Sequence, residues 1–215
     1  MPRLPRRLAR SLVLGGVALA LGVRPVGAQE VERPIGWDVV FDDRAAEDSS
    51  LFFVAMAPGW HITSGPAALL YDPVRTAEGE FRLEAEVFLF PGESDSGFGL
   101  MFGGEELESS RDQSYFQFLV RRDGHYSIAH RAGSELHVLT AWTAHDAVVA
   151  AEGVEEPVLN TLGVVAEANA IVFRINGEEV ARFPRSQGMG MDGPVGFRVG
   201  EDLNLHVRSL TVAKL

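Results

Sequence analysis

From Phe81 to Leu89 the chain alternates without a break, with Phe81, Leu83, Ala85, Val87 and Leu89 on one side and Arg82, Glu84 and Glu86 on the other. A period of two is the period of a β-strand, whose successive side chains point to opposite faces. The pattern recurs. Phe98, Leu100 and Phe102 alternate with Gly97, Gly99, Met101 and Gly103, and further sets are Ile171-Phe173-Ile175, Val195-Phe197-Val199 and Leu203-Leu205-Val207. Asp123-Gly124 sits between alternating residues 114–122 and 125–131, and Asn176-Gly177 joins 171–175 to 179–183. Such dipeptides between alternating runs are strong hairpin signals. The parity breaks at Arg208-Ser209, since Leu210 and Val212 form the next apolar pair, and a β-bulge there restores the buried face.

Helical signal is confined to 145–151 and 104–110, one or two turns each and too short to cover a sheet. The sheets must therefore cover each other. The expected fold is all-β, a single-domain, two-sheet antiparallel β-sandwich with roughly eleven to thirteen strands. Phe116, Phe118, Phe173 and Phe197 fall on apolar strand faces and are expected between the sheets.

Composition narrows the setting. Of the 215 residues, the first 28 read as a secretory leader. Arg3, Arg6, Arg7 and Arg10 form a basic start, residues 12–23 an apolar run, and Val26-Gly27-Ala28 a small-residue cleavage site. The run falls short of the ~20 residues a bilayer demands, so no membrane insertion is expected after cleavage, and the mature chain is placed in the periplasm or outside the cell. Residues 29–36 read as a flexible tail and 37–215 as the domain. The absence of cysteine excludes disulfides, zinc–thiolate sites, Fe–S clusters and thiol catalysis. The formal charge is −11, and once the leader's five arginines are gone, 14 cations face 30 acids, a net −16. Nucleic acid and anionic lipid are unfavourable partners for such a chain.

The order of elements carries a resemblance. Gly59-Trp60-His61-Ile62-Thr63-Ser64-Gly65-Pro66 and Leu69-Leu70-Tyr71-Asp72-Pro73 precede the strand at 80–90. Gly97-Phe98-Gly99-Leu100-Met101-Phe102-Gly103-Gly104 follows. The most specific succession closes the chain: Asn160-Thr161-Leu162, Ile175-Asn176-Gly177 and Asp192-Gly193-Pro194-Val195-Gly196-Phe197. Over residues 37–215 this resembles the concanavalin A-like lectin/glucanase superfamily. More narrowly it is similar to the LamG-like and 3-keto-disaccharide hydrolase-like jelly-roll domains of exported bacterial proteins. The resemblance implies two curved antiparallel sheets, the concave one often binding glycans. It implies a carbohydrate-binding or adhesive module that is not an enzyme, with a sugar-active hydrolase or lyase, or a structural or protein-partner module of the envelope, as alternatives.

A two-residue loop at Asp123-Gly124 pairs Arg121 with Tyr126, Leu119 with Ile128 and Gln117 with His130. Cross-strand partners share a face, so Tyr115, Gln117, Arg121, Tyr126 and His130 are expected together, opposite a core face of Phe116, Phe118, Val120, Ser127 and Ala129. With Trp142 from the following loop they form the candidate glycan site, rings for the CH face of a pyranose and planar polar groups for hydroxyls.

No catalytic residues are assigned. Glu84 and Glu86 stand ~6.5–7 Å apart along a strand, a permissive spacing for glycosidase carboxylates. The laminarinase-type E-x-D-x-x-E pattern, however, reads Glu84, Glu86 and Leu89 here and lacks its third acid. The six histidines form no H-x-H or H-E-x-x-H spacing, so no metal and no cofactor is assigned. Asp42-Asp43, Asp95, Glu105-Glu106 and Glu201-Asp202 offer oxygens for calcium, yet no D-x-D-x-D-G loop gathers them. Residues 188–193 match G-x-G-x-x-G, but Pro194 and a strand follow instead of a helix, so the glycines read as a tight loop. Intact-mass analysis of the exported protein is expected to find Gln29 at its N-terminus.

Overall fold

The computed structural model describes residues 33–109, 111–186 and 190–215. The leader, residues 29–32 of the tail, and Gly188 and Met189 of the glycine-rich loop lie outside the described residues. The described residues make fourteen strands. They are β1 (Asp38–Phe41), β2 (Leu51–Ala55), β3 (Trp60–Ser64), β4 (Ala68–Ala77), β5 (Phe81–Leu89), β6 (Phe98–Glu105) and β7 (Ser114–Val120), followed by β8 (His125–Ala132), β9 (Glu135–Ala144), β10 (Val158–Ala166), β11 (Ala170–Ile175), β12 (Glu178–Pro184), β13 (Gly193–Val199) and β14 (Asn204–Lys214). The one helical element among the described residues is a 3-10 turn, Asp48–Ser50. Residues 145–151 make hydrogen-bonded turns instead of a helix, Val148 N–H donating to the His145 carbonyl at 3.0 Å.

Two seven-stranded sheets result. The first runs β1-β4-β13-β6-β7-β8-β9 and the second β12-β11-β10-β5-β14-β3-β2. Every neighbouring pair is antiparallel. This is the all-β, two-sheet jelly-roll sandwich that the alternation predicts.

The alternation explains the core. On β5 the apolar set from Phe81 to Leu89 is buried while Arg82 and Glu84 are exposed. On β14, Val207 faces Val87 and Ser209 faces Glu86, so Arg208 is the extra residue of the expected bulge, and Leu210 returns to the core. Asn176-Gly177 makes the expected two-residue turn, Ile175 opposite Glu178, both turn residues at positive φ.

Phe116, Phe118, Phe173 and Phe197 are all buried between the sheets. Phe118 meets Phe173 edge-on at 5.1 Å, and Trp37 stacks on Phe197 at 5.5 Å. Gly196 marks a close approach of strands, since a Cβ there would fall 2.1 Å from the Leu70 carbonyl oxygen. Because Phe173 is in ring contact with Phe102, Phe118 and Phe183, Phe173→Ala is expected to lower the unfolding free energy in urea by about 3–5 kcal/mol.

Candidate functional site

The turn between β7 and β8 decides which side chains meet. Arg121 N–H donates to the His125 carbonyl at 3.0 Å, and Gly124 N–H to the Arg121 carbonyl at 3.2 Å. The loop is therefore Arg122-Asp123-Gly124, a three-residue turn ending in Gly124 at φ +82°. The pairs are Val120 with Tyr126, Phe118 with Ile128 and Phe116 with His130, one residue displaced from the two-residue reading. A one-residue slip sends a strand's whole side-chain set to the other face. Tyr126 and His130 consequently lie on the inner face, and Ser127 and Ala129 face outward beside Leu119 and Gln117. This corrects the expected face-sharing. The usable signal was apolarity: Tyr126 and Ile128 match the core partners Phe116, Phe118 and Val120, whereas Ser127 and Ala129 do not.

The structure thus divides the candidate residues. Tyr126 is buried, and its hydroxyl donates to the Val180 carbonyl of the opposite sheet at 2.8 Å. Burial raises its pKa above the ordinary phenol value. His130 lies 4.5 Å from the Phe116 ring and 3.0 Å through Nε2 from the Ser114 hydroxyl. Tyr115 faces outward but is 1% exposed, packed with Leu69, Tyr71, Met101 and Leu107. Gln117 lies in the outer face at 8% exposure. Arg121 and Trp142 meet there, the guanidinium 4.8 Å from the ring centre. Trp142 belongs to β9 and not to a loop, and is 39% exposed.

The outer face of the first sheet is ordered by its registers. One row runs Val40, Leu69, Arg198, Gly99, Leu119, Ser127. The next runs Asp38, Tyr71, Gly196, Met101, Gln117, Ala129, Val138. Trp142 closes one end, its ring against Gly97, where a Cβ would come within 2.6 Å. Arg198, which the sequence reading did not single out, stands in the first row. Its Nη2 is paired with the Asp42 carboxylate, while Nη1 is buried with no hydrogen-bond partner among the described residues. Arg131 Nε, beside Tyr115 in register, is in the same condition. Buried guanidinium nitrogens without partners are strong donors held ready for an acceptor.

Glu84 and Glu86 lie elsewhere, on the outer face of the second sheet, where Glu86 is 3.4 Å from Arg208 Nη1. Leu89, at the third position of the glucanase pattern, is buried. Among the described residues no three His, Asp or Glu side chains converge on a common metal position. Of the calcium candidates, Asp42 is engaged by Arg198, and Asp43 accepts the Ala45 N–H at 2.9 Å.

No protein-family model and no curated protein sequence matches the chain. Solved structures do. The carbohydrate-binding module CBM66 from Bacillus subtilis superposes with a TM-score of 0.62 at 13% identity, over 83% of this chain and 96% of that one. A Bacillus subtilis protein of unknown function with a galectin-like fold gives 0.62 at 11% identity, covering 83% and 89%. A mixed linkage glucan GH16 protein from Bacteroides ovatus gives 0.57 at 6%, covering 86% and 97%. The fold is accordingly the two-sheet jelly-roll β-sandwich of these structures, the architecture that the resemblance implied.

The imidazole of His130 sits below its ordinary pKa, through burial first and then the neighbouring His137, against a smaller upward pull from Glu105. His61 is lowered in the same sense by burial and His206. Both bind a proton less well folded than unfolded, so unfolding free energy falls as pH drops through about 6.5. Imidazole NMR titration is expected to place both midpoints below 6.5, and His130→Gln to flatten the pH dependence of the urea midpoint between pH 7.5 and 6.

Proposed function

We propose that this chain is an exported, non-catalytic carbohydrate-binding module, and that the outer face of its first sheet is the concave, glycan-bearing one. The observation that carries the reading is Arg198: a guanidinium nitrogen buried in that face with no hydrogen-bond partner among the described residues, two strands from the Gln117 amide. Hydroxyl-rich ligands supply the acceptors such a donor lacks. The Arg121–Trp142 pair at the end of the same face adds a half-exposed ring on which a sugar can stack, backed by a cation. Trp142, on edge strand β9, touches Gly97 beside β6 although β8 and β7 intervene, which supports a sheet curled toward this face. The names of the structural neighbours, a carbohydrate-binding module among them, favour the same ligand class.

The placement of Glu84 and Glu86 on the other sheet, Glu86 beside Arg208, supports binding over hydrolysis. The leader pattern of residues 1–28 supports export. Within the site we retain Gln117, Arg121 and Trp142, add Arg198, and leave out Tyr126 and His130, which face inward.

Calorimetric titration against a panel of soluble polysaccharides is expected to find one that binds below millimolar concentration. Arg198→Ala is expected to weaken that binding by about 1.5–3 kcal/mol, the worth of a hydrogen bond to a charged group. Trp142→Ala is expected to weaken it with melting unchanged, because the ring is outside the core. A panel in which nothing binds the wild type at millimolar concentration would overturn the reading.

A further inference from the structure

The space between β9 and β12, the edge strands of the two sheets, holds a second candidate site that the glycan reading does not use. An apolar cavity of about 170 Å³ lies there, walled by Phe116, Leu139, Ile171, Phe173, Phe183 and Pro184. Beside it, sharing Phe116 and Leu139, opens a cavity of about 350 Å³ that brings in the polar side chains of Glu105, Ser114, His130 and His137. The hairpin register creates this mouth. Because His130 pairs with His137 on the inner face, two imidazoles stack at 6.1 Å where apolar side chains would otherwise close the sandwich. Close by along β8, the Tyr126 hydroxyl bonds the opposite sheet, fixing the distance between the layers.

We infer that this pocket binds a neutral aromatic ring carrying a hydroxyl group, a phenol, with the ring among the phenylalanines and the hydroxyl at the His130–Ser114 pair. Size argues for one ring, since an apolar cavity of roughly 150 Å³ holds a benzene. The lining argues for an aromatic occupant, because Phe116, Phe173 and Phe183 offer ring edges and faces to it. The mouth argues for a neutral hydroxyl. Ser114 and two imidazoles supply donors and acceptors together, while the Glu105 carboxylate, with no Lys or Arg among the described lining residues, disfavours an anionic head. Leu139 is the extra residue of a β9 bulge and half-exposed, so it forms the side of the pocket nearest solvent.

The test is NMR titration of the folded protein with p-cresol at pH 7.5, following the imidazole C–H signals of His130 and His137. Saturable shifts at both are expected, with benzoate binding at least tenfold more weakly. Leu139→Trp fills the pocket from its exposed side and is expected to weaken p-cresol at least tenfold while melting stays unchanged. Phe183→Ala enlarges the pocket from the opposite sheet and is expected to admit 2-naphthol, which the wild type excludes. Absence of saturable imidazole shifts would overturn the proposal, as would shifts centred on Trp142. Equal p-cresol affinity in wild type and a folded Leu139→Trp, or no gain of 2-naphthol by Phe183→Ala, would do the same.

Discussion

Asp123 ties down the turn on which the arrangement of the first sheet depends. Its carboxylate accepts Arg121 Nε at 2.8 Å and lies 2.7 Å from Arg121 Nη2, and it takes the His125 backbone N–H at 3.3 Å. Burial pushes the carboxyl up, but the Arg121 hydrogen bond and charge, with His125, outweigh it and hold the group below its ordinary pKa. The side chain therefore braces both strands at the mouth of a three-residue loop. From that loop follows the register, and from the register follows every face: Tyr126, Ile128 and His130 turn inward, and Ser127, Ala129 and Arg131 outward. The pocket between the sheets is a consequence of that offset, and on the outer face the same offset sets Ser127 and Ala129 beside Leu119 and Gln117. A two-residue turn would have put two imidazoles and a phenol on the outer face and left Ser127 and Ala129 to fill the core.

The outer face of the first sheet is not a simple solvated surface. Leu69, Tyr71, Met101, Leu107 and Tyr115 form a second apolar cluster on it, Leu107 reaching over from the segment after β6. Tyr71 is driven to a pKa of about 12 by burial, with the carboxylates of Asp38 and Glu108 adding to the shift. A polar group set into such surroundings interacts strongly and costs more when left unpaired. That is why Arg198 matters more than the exposed cations. Its ion pair with Asp42 engages Nη2, while Nη1 is buried with no hydrogen-bond partner among the described residues.

Strand identity is a local property, and the sequence carries it. The alternation from Phe81 to Leu89, the Asn176-Gly177 turn and the parity break at Arg208 each describe one segment, and each appears in the fold. Register is a property of a turn's length, and Asp-Gly serves a two-residue loop as well as the end of a three-residue one. The dipeptide alone does not choose between them. Burial of an outward side chain depends on strands far apart in sequence, so it was less legible still. Tyr115 alternates with Phe116 and Phe118 as a surface ring would, yet Leu69, Tyr71 and Leu107 cover it. Arg198 alternates with Val195-Phe197-Val199 as any solvent-facing residue does. Its setting comes from Leu69 on one neighbouring strand and Gly99 on the other. Trp142 follows the hairpin as a loop residue would, yet it lies in β9, where bulges break the strict alternation of residues 135–144 without ending the strand.

A sandwich of open sheets leaves edge strands whose free backbone groups invite pairing with another chain. Here β1 and β2 are short, with 4 and 5 residues, and β12 carries Glu178, Glu179, Arg182 and Pro184. Edge strand β9 is 10 residues long, with Leu136, Val138, Leu139 and Trp142 exposed, and lacks such guards apart from Glu135 near its start. Its protection is geometric. Between Ala129 and Ile128 it inserts Leu139, and between Ile128 and Tyr126 it spends three steps, from Thr140 to Thr143, against two on β8. Each extra residue bends and twists the strand, which spoils it as a flat template. The first extra residue delivers Leu139 to the cavity between the sheets. The second lies in the segment that carries the Trp142 ring over Arg121, so the departures from regular pairing that guard this edge also place side chains at both candidate sites.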